Sequence, residues 1–195
     1  ITLALFLYAV ALVPPAMLLR SALHCLDQRP SLGTAIAAQL IGHAGKYVPG
    51  KAMVIVLRAT ALASDGVTAV PATVSIFLET FLMMAVGASV AAIVMVWLPV
   101  PTWMAVASIG VALLACLPTL PPILRQVARR VTKMDGLDAR ARINWRLFAA
   151  GWGWSLLSWL LVGASFAALV AAMPGPNPLP PPPQLYAIAT AAICL

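Results

Sequence analysis

The residues best suited to chemistry are Gly45-Lys46-Tyr47-Val48-Pro49-Gly50-Lys51, followed by Arg58 and, further on, Glu79. Lysine is a compact cation that partners phosphate, and arginine can clamp phosphate with two parallel hydrogen bonds. A helix restarting after a Pro49-Gly50 break would add free backbone N–H groups and the positive end of its dipole. Lys51 and Arg58 are seven residues apart, which puts them on one face of such a helix. Glu79 has the charge to neutralise one of these cations at rest and to be displaced by an incoming phosphate. The chemistry this pattern points to is anion binding, with Lys46, Tyr47, Pro49, Gly50, Lys51, Arg58 and Glu79 as the candidate lipid-phosphate site.

Each residue also has a plainer reading. Lys46 and Lys51 could be snorkelling side chains at a membrane edge. Pro49-Gly50 is a common turn, Tyr47 suits an interface anchor, and Glu79 could be a buried carboxylate bonded to a neighbouring helix. Catalytic patterns are missing: there is no HExxH, nucleophile elbow or Walker sequence. Cys25, Cys116 and Cys194 show no ligand spacing and read as small buried hydrophobes. No catalytic residue, metal or cofactor is assigned, and nothing in the sequence calls for an enzyme.

The elements that must hold these residues are membrane helices. The chain is 63% hydrophobic and 9% charged, whereas soluble domains carry ~25% charged residues. From Gly66 to Leu124 the only charge is Glu79, and from Leu147 to Leu195 there is none. Such runs far exceed the ~20 residues of one crossing. An intramembrane ionisable residue is then a functional-site hypothesis by default. The expected fold is an all-α polytopic transmembrane bundle forming one domain over 1–195. The chain opens and closes inside apolar stretches, so it reads as a fragment cut at both ends.

In order, Ile1–Leu19 reads as a first span kinked by Pro14-Pro15, and Ser21–Pro30 as a polar connection. Ser31 can cap a helix that Gly42 and Gly45 weaken and Pro49-Gly50 breaks, with a second short helix from about Lys51 to Ala63. Each half is too short to cross, so residues 31–63 read as a re-entrant hairpin. Ser64-Asp65-Gly66 is a turn. Val70–Trp97 is a full span in which Gly87, Ala88 and Ala91 offer a small-residue packing face. Spans follow at Trp103–Leu124 and Leu147–Met173, with an extended proline-rich link over Pro174–Pro183 and a last helix from Gln184.

Seven of the twelve basic residues lie between Arg125 and Arg146. The positive-inside rule puts that segment, possessed of the makings of an amphipathic interfacial helix, in the cytoplasm. The Leu98–Pro101 turn is then outside, and both Ser64–Gly66 and Arg20–Arg29 are inside. Residues 31–57 must therefore leave and return on one side, which agrees with the helix breakers. Glu79 falls at cytoplasmic-half depth, within reach of Lys46, Lys51 or Arg58. The basic cluster is a topology signal rather than a nucleic-acid patch, and the placement expected is a multi-pass cell (inner) membrane protein.

At Lys46-Tyr47-Val48-Pro49-Gly50-Lys51, Arg58, Gly66-Val67 and Glu79 the chain resembles the lysylphosphatidylglycerol synthase transmembrane region, the flippase-like (YbhN-type) integral membrane family. The similarity in order and spacing runs from about Leu32 to Ala92. It implies an all-helical fold with re-entrant helices lining a lipid-accessible cavity. It also implies translocation of an anionic or aminoacylated phospholipid, or of a polyprenyl-phosphate-type lipid. The family's second re-entrant element and its soluble aminoacyl-transfer domain have no counterpart in these residues, so no synthase activity is implied. The expected partner is a membrane lipid with an anionic head group, alongside a homo-oligomer or a membrane enzyme. The competing reading is a non-transporting scaffold for a lipid-modifying or glycosyltransferase system.

Overall fold

The computed structural model describes residues 1–45, 52–132, 143–173 and 180–194, without the side chains of 52, 127–129 and 131–132. Among the described residues every regular element is a helix. They are α1 (Thr2–Ala11), α2 (Val13–Cys25), α3 (Leu32–Gly45), α4 (Ala52–Ala63), α5 (Ala69–Trp97), α6 (Thr102–Cys116), α7 (Pro121–Thr132), α8 (Trp145–Ala171) and α9 (Pro182–Cys194). A short 3-10 turn, Leu117–Thr119, joins α6 to α7. Four stretches are long and apolar enough to cross a bilayer: Thr2–Cys25, Ala69–Trp97, Thr102–Thr119 and Trp145–Ala171. The chain is an all-α polytopic membrane protein.

The first span is interrupted by its own prolines. Pro14 and Pro15 occupy the first turn of α2, where a missing N–H is tolerated. They cannot donate back to Val10 and Ala11, so α1 ends at Ala11 and Leu12 caps it. The Ala11 carbonyl is rescued from outside: Ser158 Oγ donates to it at 2.9 Å. One turn pair further along, Ser165 Oγ donates to the Ala4 carbonyl at 2.7 Å. These two bonds run in opposite chain directions and fasten α1 antiparallel to α8. Helix α2 continues to Cys25, so the polar connection is shorter than the Ser21–Pro30 expected from its charges. Arg20 stays on that helix and donates through Nε to the Pro30 carbonyl at 3.2 Å.

Helix α3 begins as its sequence requires, with Ser31 Oγ accepting from the Thr34 N–H at 3.1 Å. It does not weaken at Gly42; it runs on through Gly45. Those glycines matter for packing instead. A Cβ on Gly45 would lie 3.2 Å from the Val54 Cα, and one on Gly42 would lie 2.7 Å from Arg58 Cδ. Together with Ala38 and Leu62, which share one core cluster, these pairings set α3 and α4 antiparallel and nearly backbone to backbone. At the open end of the pair, the Ser31 N–H donates to Asp65 Oδ2 at 2.7 Å. Beside it, the Thr68 N–H donates to Gln28 Oε1 at 3.2 Å. The chain thus enters α3 and leaves α4 at the same end. Gly66 makes the exit turn with φ +77°, a conformation that favours glycine. At ~1.5 Å per residue α3 and α4 are ~21 and ~18 Å long, short of a ~30 Å hydrocarbon core.

Helix α5 is the axis of the bundle. Its buried residues recur from Ala72 to Met95 and meet α2, α4, α6, α8 and α9 in turn. Leu18, Ala22, Leu78, Leu82 and Leu147 form one apolar cluster; Leu19, Leu23, Ala38, Leu62, Val67, Ala72 and Ile76 form a second. Gly87 lets the Trp159 indole lie against the α5 backbone, where a Cβ would be 2.9 Å from the ring. Trp159 Nε1 donates to the Met83 carbonyl at 2.8 Å. Helix α6 packs chiefly on α5 and turns Trp103, Val106, Val111, Leu113 and Leu114 outward. An apolar outer face of this kind fits hydrocarbon rather than water.

Two further expectations change. The span expected over Trp103–Leu124 stops at Thr119: α6 ends at Cys116, and Pro118, Pro121 and Pro122 bring in the 3-10 turn and restart the chain as α7. The final helix starts at Pro182 rather than Gln184, with two prolines in its first turn. Helix α7 carries the first part of the basic segment, and Arg125 Nε donates to the Ile143 carbonyl at 2.6 Å, tying α7 to the start of α8. Asn144 caps α8 by accepting from the Leu147 N–H at 3.0 Å.

Candidate functional site

Three helices bring polar side chains to one point. Gln39 comes from α3, Arg58 from α4 and Glu79 from α5. All three are buried, with 5%, 5% and 4% of their surfaces exposed. Arg58 forms a salt bridge to Glu79 through Nη2 and Oε2. Gln39 Nε2 donates to the other carboxylate oxygen, Oε1, at 2.8 Å. Both oxygens of Glu79 are thus engaged by side chains that lie 21 and 40 residues away in sequence.

The local sequence explains how Arg58 reaches the carboxylate. Its stem crosses Gly42, where any side chain would collide with Cγ and Cδ. A bare backbone on α3 is therefore what opens the channel for the arginine. The cluster is neutral in sum, so two charges can be held together away from water. Its hydrogen bonding is incomplete. Arg58 Nε and Gln39 Oε1 are buried with no partner, one a donor and the other an acceptor. Buried polar groups are nearly always bonded, so these two atoms are exceptions to the usual pairing.

Beside the cluster is a cavity of about 500 Å³ walled by Tyr8, Pro15, Gln39, Arg58, Glu79 and Trp159 among others. It lies in the usual range for ligand pockets, ~300–1,000 Å³. Its wall includes the break between α1 and α2, the α3–α4 pair, the middle of α5 and the centre of α8. His43 also lines it and bonds through Nδ1 to the Gln39 carbonyl at 2.9 Å. Among the described residues, Arg58 and Glu79 are the two charged ones in that wall, and His43 and Tyr8 are its other titratable ones. No group of three His, Cys, Asp or Glu side chains converges among the described residues.

Of the seven candidate residues, Arg58 and Glu79 meet directly. Lys46, Tyr47, Pro49, Gly50 and Lys51 lie outside the described residues. Sequence reasoning passed over Gln39, Gly42, His43 and Tyr8. A signal existed for three of them: Gln39, Gly42 and His43 stand at i, i+3 and i+4, one face of an otherwise apolar helix. Tyr8 had none, since only the packing of α1 against α8 brings it here. In comparisons with known proteins, no family model, no curated protein and no solved structure matches this chain.

Proposed function

We propose that this membrane protein binds the phosphate of an anionic lipid in the Arg58–Glu79 cavity and carries the head group across the bilayer. The observation that carries this reading is the Arg58–Glu79 pair in the wall of a 500 Å³ cavity inside a helical membrane bundle. A guanidinium has five N–H donors, so Arg58 can keep its bridge to Glu79 and still donate to a phosphate oxygen. The α3–α4 pair acts as a re-entrant hairpin, and Lys46 and Lys51, between the two helices in sequence, add cationic charge. The basic segment 125–146 faces the cytoplasm at the cell (inner) membrane. This is the chemistry of the flippase-like family that the sequence resembles, with an anionic, aminoacylated or polyprenyl-phosphate lipid as cargo.

The test is lipid movement in liposomes containing the protein, with labelled anionic, aminoacylated and polyprenyl-phosphate lipids in parallel. Arg58→Leu with Glu79→Gln removes the charge pair yet leaves Gln39 a neutral amide partner. A parent that moves one lipid class and a folded double variant that does not would support the reading. If the double variant moves lipid as fast as the parent, or the parent moves none, the protein is instead a membrane scaffold.

A further inference from the structure

An apolar groove runs along the outside of α1, α8 and α9. It has a volume of about 330 Å³, and its wall includes Ile1, Leu5, Val162, Phe166, Leu169 and Ile193. Among the described residues its one polar side chain apart from Tyr8 is Ser165, whose hydroxyl is already committed to the Ala4 carbonyl. A groove of this sort on a membrane helix bundle is, taken alone, just bilayer-facing surface. Its neighbour changes that. Tyr8, Val162 and Ile193 line both this groove and the charged cavity, so the two spaces adjoin at these residues. A second apolar groove, about 270 Å³ between α5 and α6, shares no wall residue with the cavity.

A polar chamber beside a hydrocarbon-lined groove is complementary to an amphiphile. We propose that the groove along α1, α8 and α9 holds a hydrocarbon tail of the molecule whose phosphate reaches Arg58. This rests on the reading of the cavity as a phosphate site. The head is held by the Arg58 guanidinium in the cavity wall, and the tail by burial of methylenes against Leu5, Phe166 and Leu169. Tyr8 stands at the junction, where a ring with one apolar body and one polar tip suits a boundary between tail and head. Specificity then has two parts: the cavity selects the phosphate-bearing head, and the groove requires at least one long chain.

The experiment uses the full chain in liposomes with two photoactivatable probes. One is an anionic phospholipid with a diazirine near the end of one acyl chain; the other is a polyprenyl phosphate labelled in its chain. Cross-linked residues are read by mass spectrometry. Labelling should fall on Leu5, Phe166 and Leu169, be competed by unlabelled lipid of the same head group, and drop about tenfold in the Arg58→Leu/Glu79→Gln variant. Whichever probe labels the groove identifies the tail as acyl or prenyl. Leu169→Trp, which fills the groove, should weaken binding of the long-chain lipid about tenfold and leave binding of glycerol phosphate unchanged. Val111→Trp, which fills the α5–α6 groove instead, should stay within about twofold of the parent.

Labelling that persists in the charge-free variant, or falls equally on Ala107 and Val111 of the α5–α6 groove, would show ordinary bilayer lipid and overturn the tail assignment. If glycerol phosphate and lipid still need Arg58 while the tail labels elsewhere, the phosphate site stands and the groove does not. If neither ligand needs Arg58, the phosphate site itself fails.

Discussion

Removing one member of the Arg58–Glu79 pair should be far more damaging than removing both. The pair is buried to within a few per cent of its surface, so either charge left alone has neither water nor counter-ion. At a separation of ~4 Å and an effective dielectric of ~20, the lost attraction is ~4 kcal/mol. That agrees with the ~3–5 kcal/mol cost of breaking buried pairs. Arg58→Leu leaves the Glu79 carboxylate with only the Gln39 amide. Glu79→Gln leaves the guanidinium uncompensated, although Gln39 can flip its amide so that the unused Oε1 accepts from the new side chain. In the double variant two neutral amides bond to each other, Leu fills the arginine's path, and no charge remains; the cost should be ~0–1 kcal/mol. The two single changes add to at least ~6 kcal/mol, so the double should fall short of additivity by ~5. For a chain of this size ~1 kcal/mol is ~2–4 °C in Tm, so each single variant should melt ~6–20 °C below the parent and the double within ~4 °C. Tryptophan fluorescence melts of the four proteins in detergent measure this. Additive losses, or a single variant as stable as the parent, would refute the claim that a desolvated pair holds α4 to α5.

Glycine substitutions within α3 should have opposite signs. Gly33→Ala meets nothing closer than Ser31 Oγ at 3.8 Å and should raise stability by up to ~1 kcal/mol through helix propensity. Gly42→Ala gains the same propensity but drives a methyl into the Arg58 stem, an overpacking cost of ~1–3 kcal/mol that also pushes the guanidinium off Glu79; paired melts decide it. Ser158→Ala strips the partner from the Ala11 carbonyl that Pro15 cannot serve and should cost ~1–3 kcal/mol, read by the same melts and by faster amide exchange around Leu12. Asp65 sits outside the spanning helices, and its carboxyl is held below its ordinary value of 3.8, first by the Ser31 N–H and then by the Thr34 hydroxyl. A depressed folded value means the contact stabilises above the unfolded value and is lost as pH falls through the folded one. The melting curves of the parent and Asp65→Asn should therefore differ at neutral pH and converge below pH ~4.

Several features could be read directly from the residues. Long uncharged runs placed the spans within a few residues, because a helix buried in hydrocarbon needs apolar side chains all round. Pro14-Pro15 signalled the break in the first span, Ser31 the start of α3 and Ser64-Asp65-Gly66 the turn after α4; each is a rule about one residue and its next few neighbours. Glu79 stood out for the same reason, as a charge in an apolar run. Which cation answers it was not legible, since Lys46, Lys51 and Arg58 all lay within reach in sequence terms. Only the packing of α3, α4 and α5 joined Arg58 to it, and only that packing turned Gly42 from a helix weakener into a passage for the arginine. Gln39, His43 and Tyr8 entered the cavity the same way. The physical difference is range. Hydrophobicity, capping and proline act over a turn or two of chain, whereas a hydrogen-bond partner 40 residues away is chosen by how whole helices fit together.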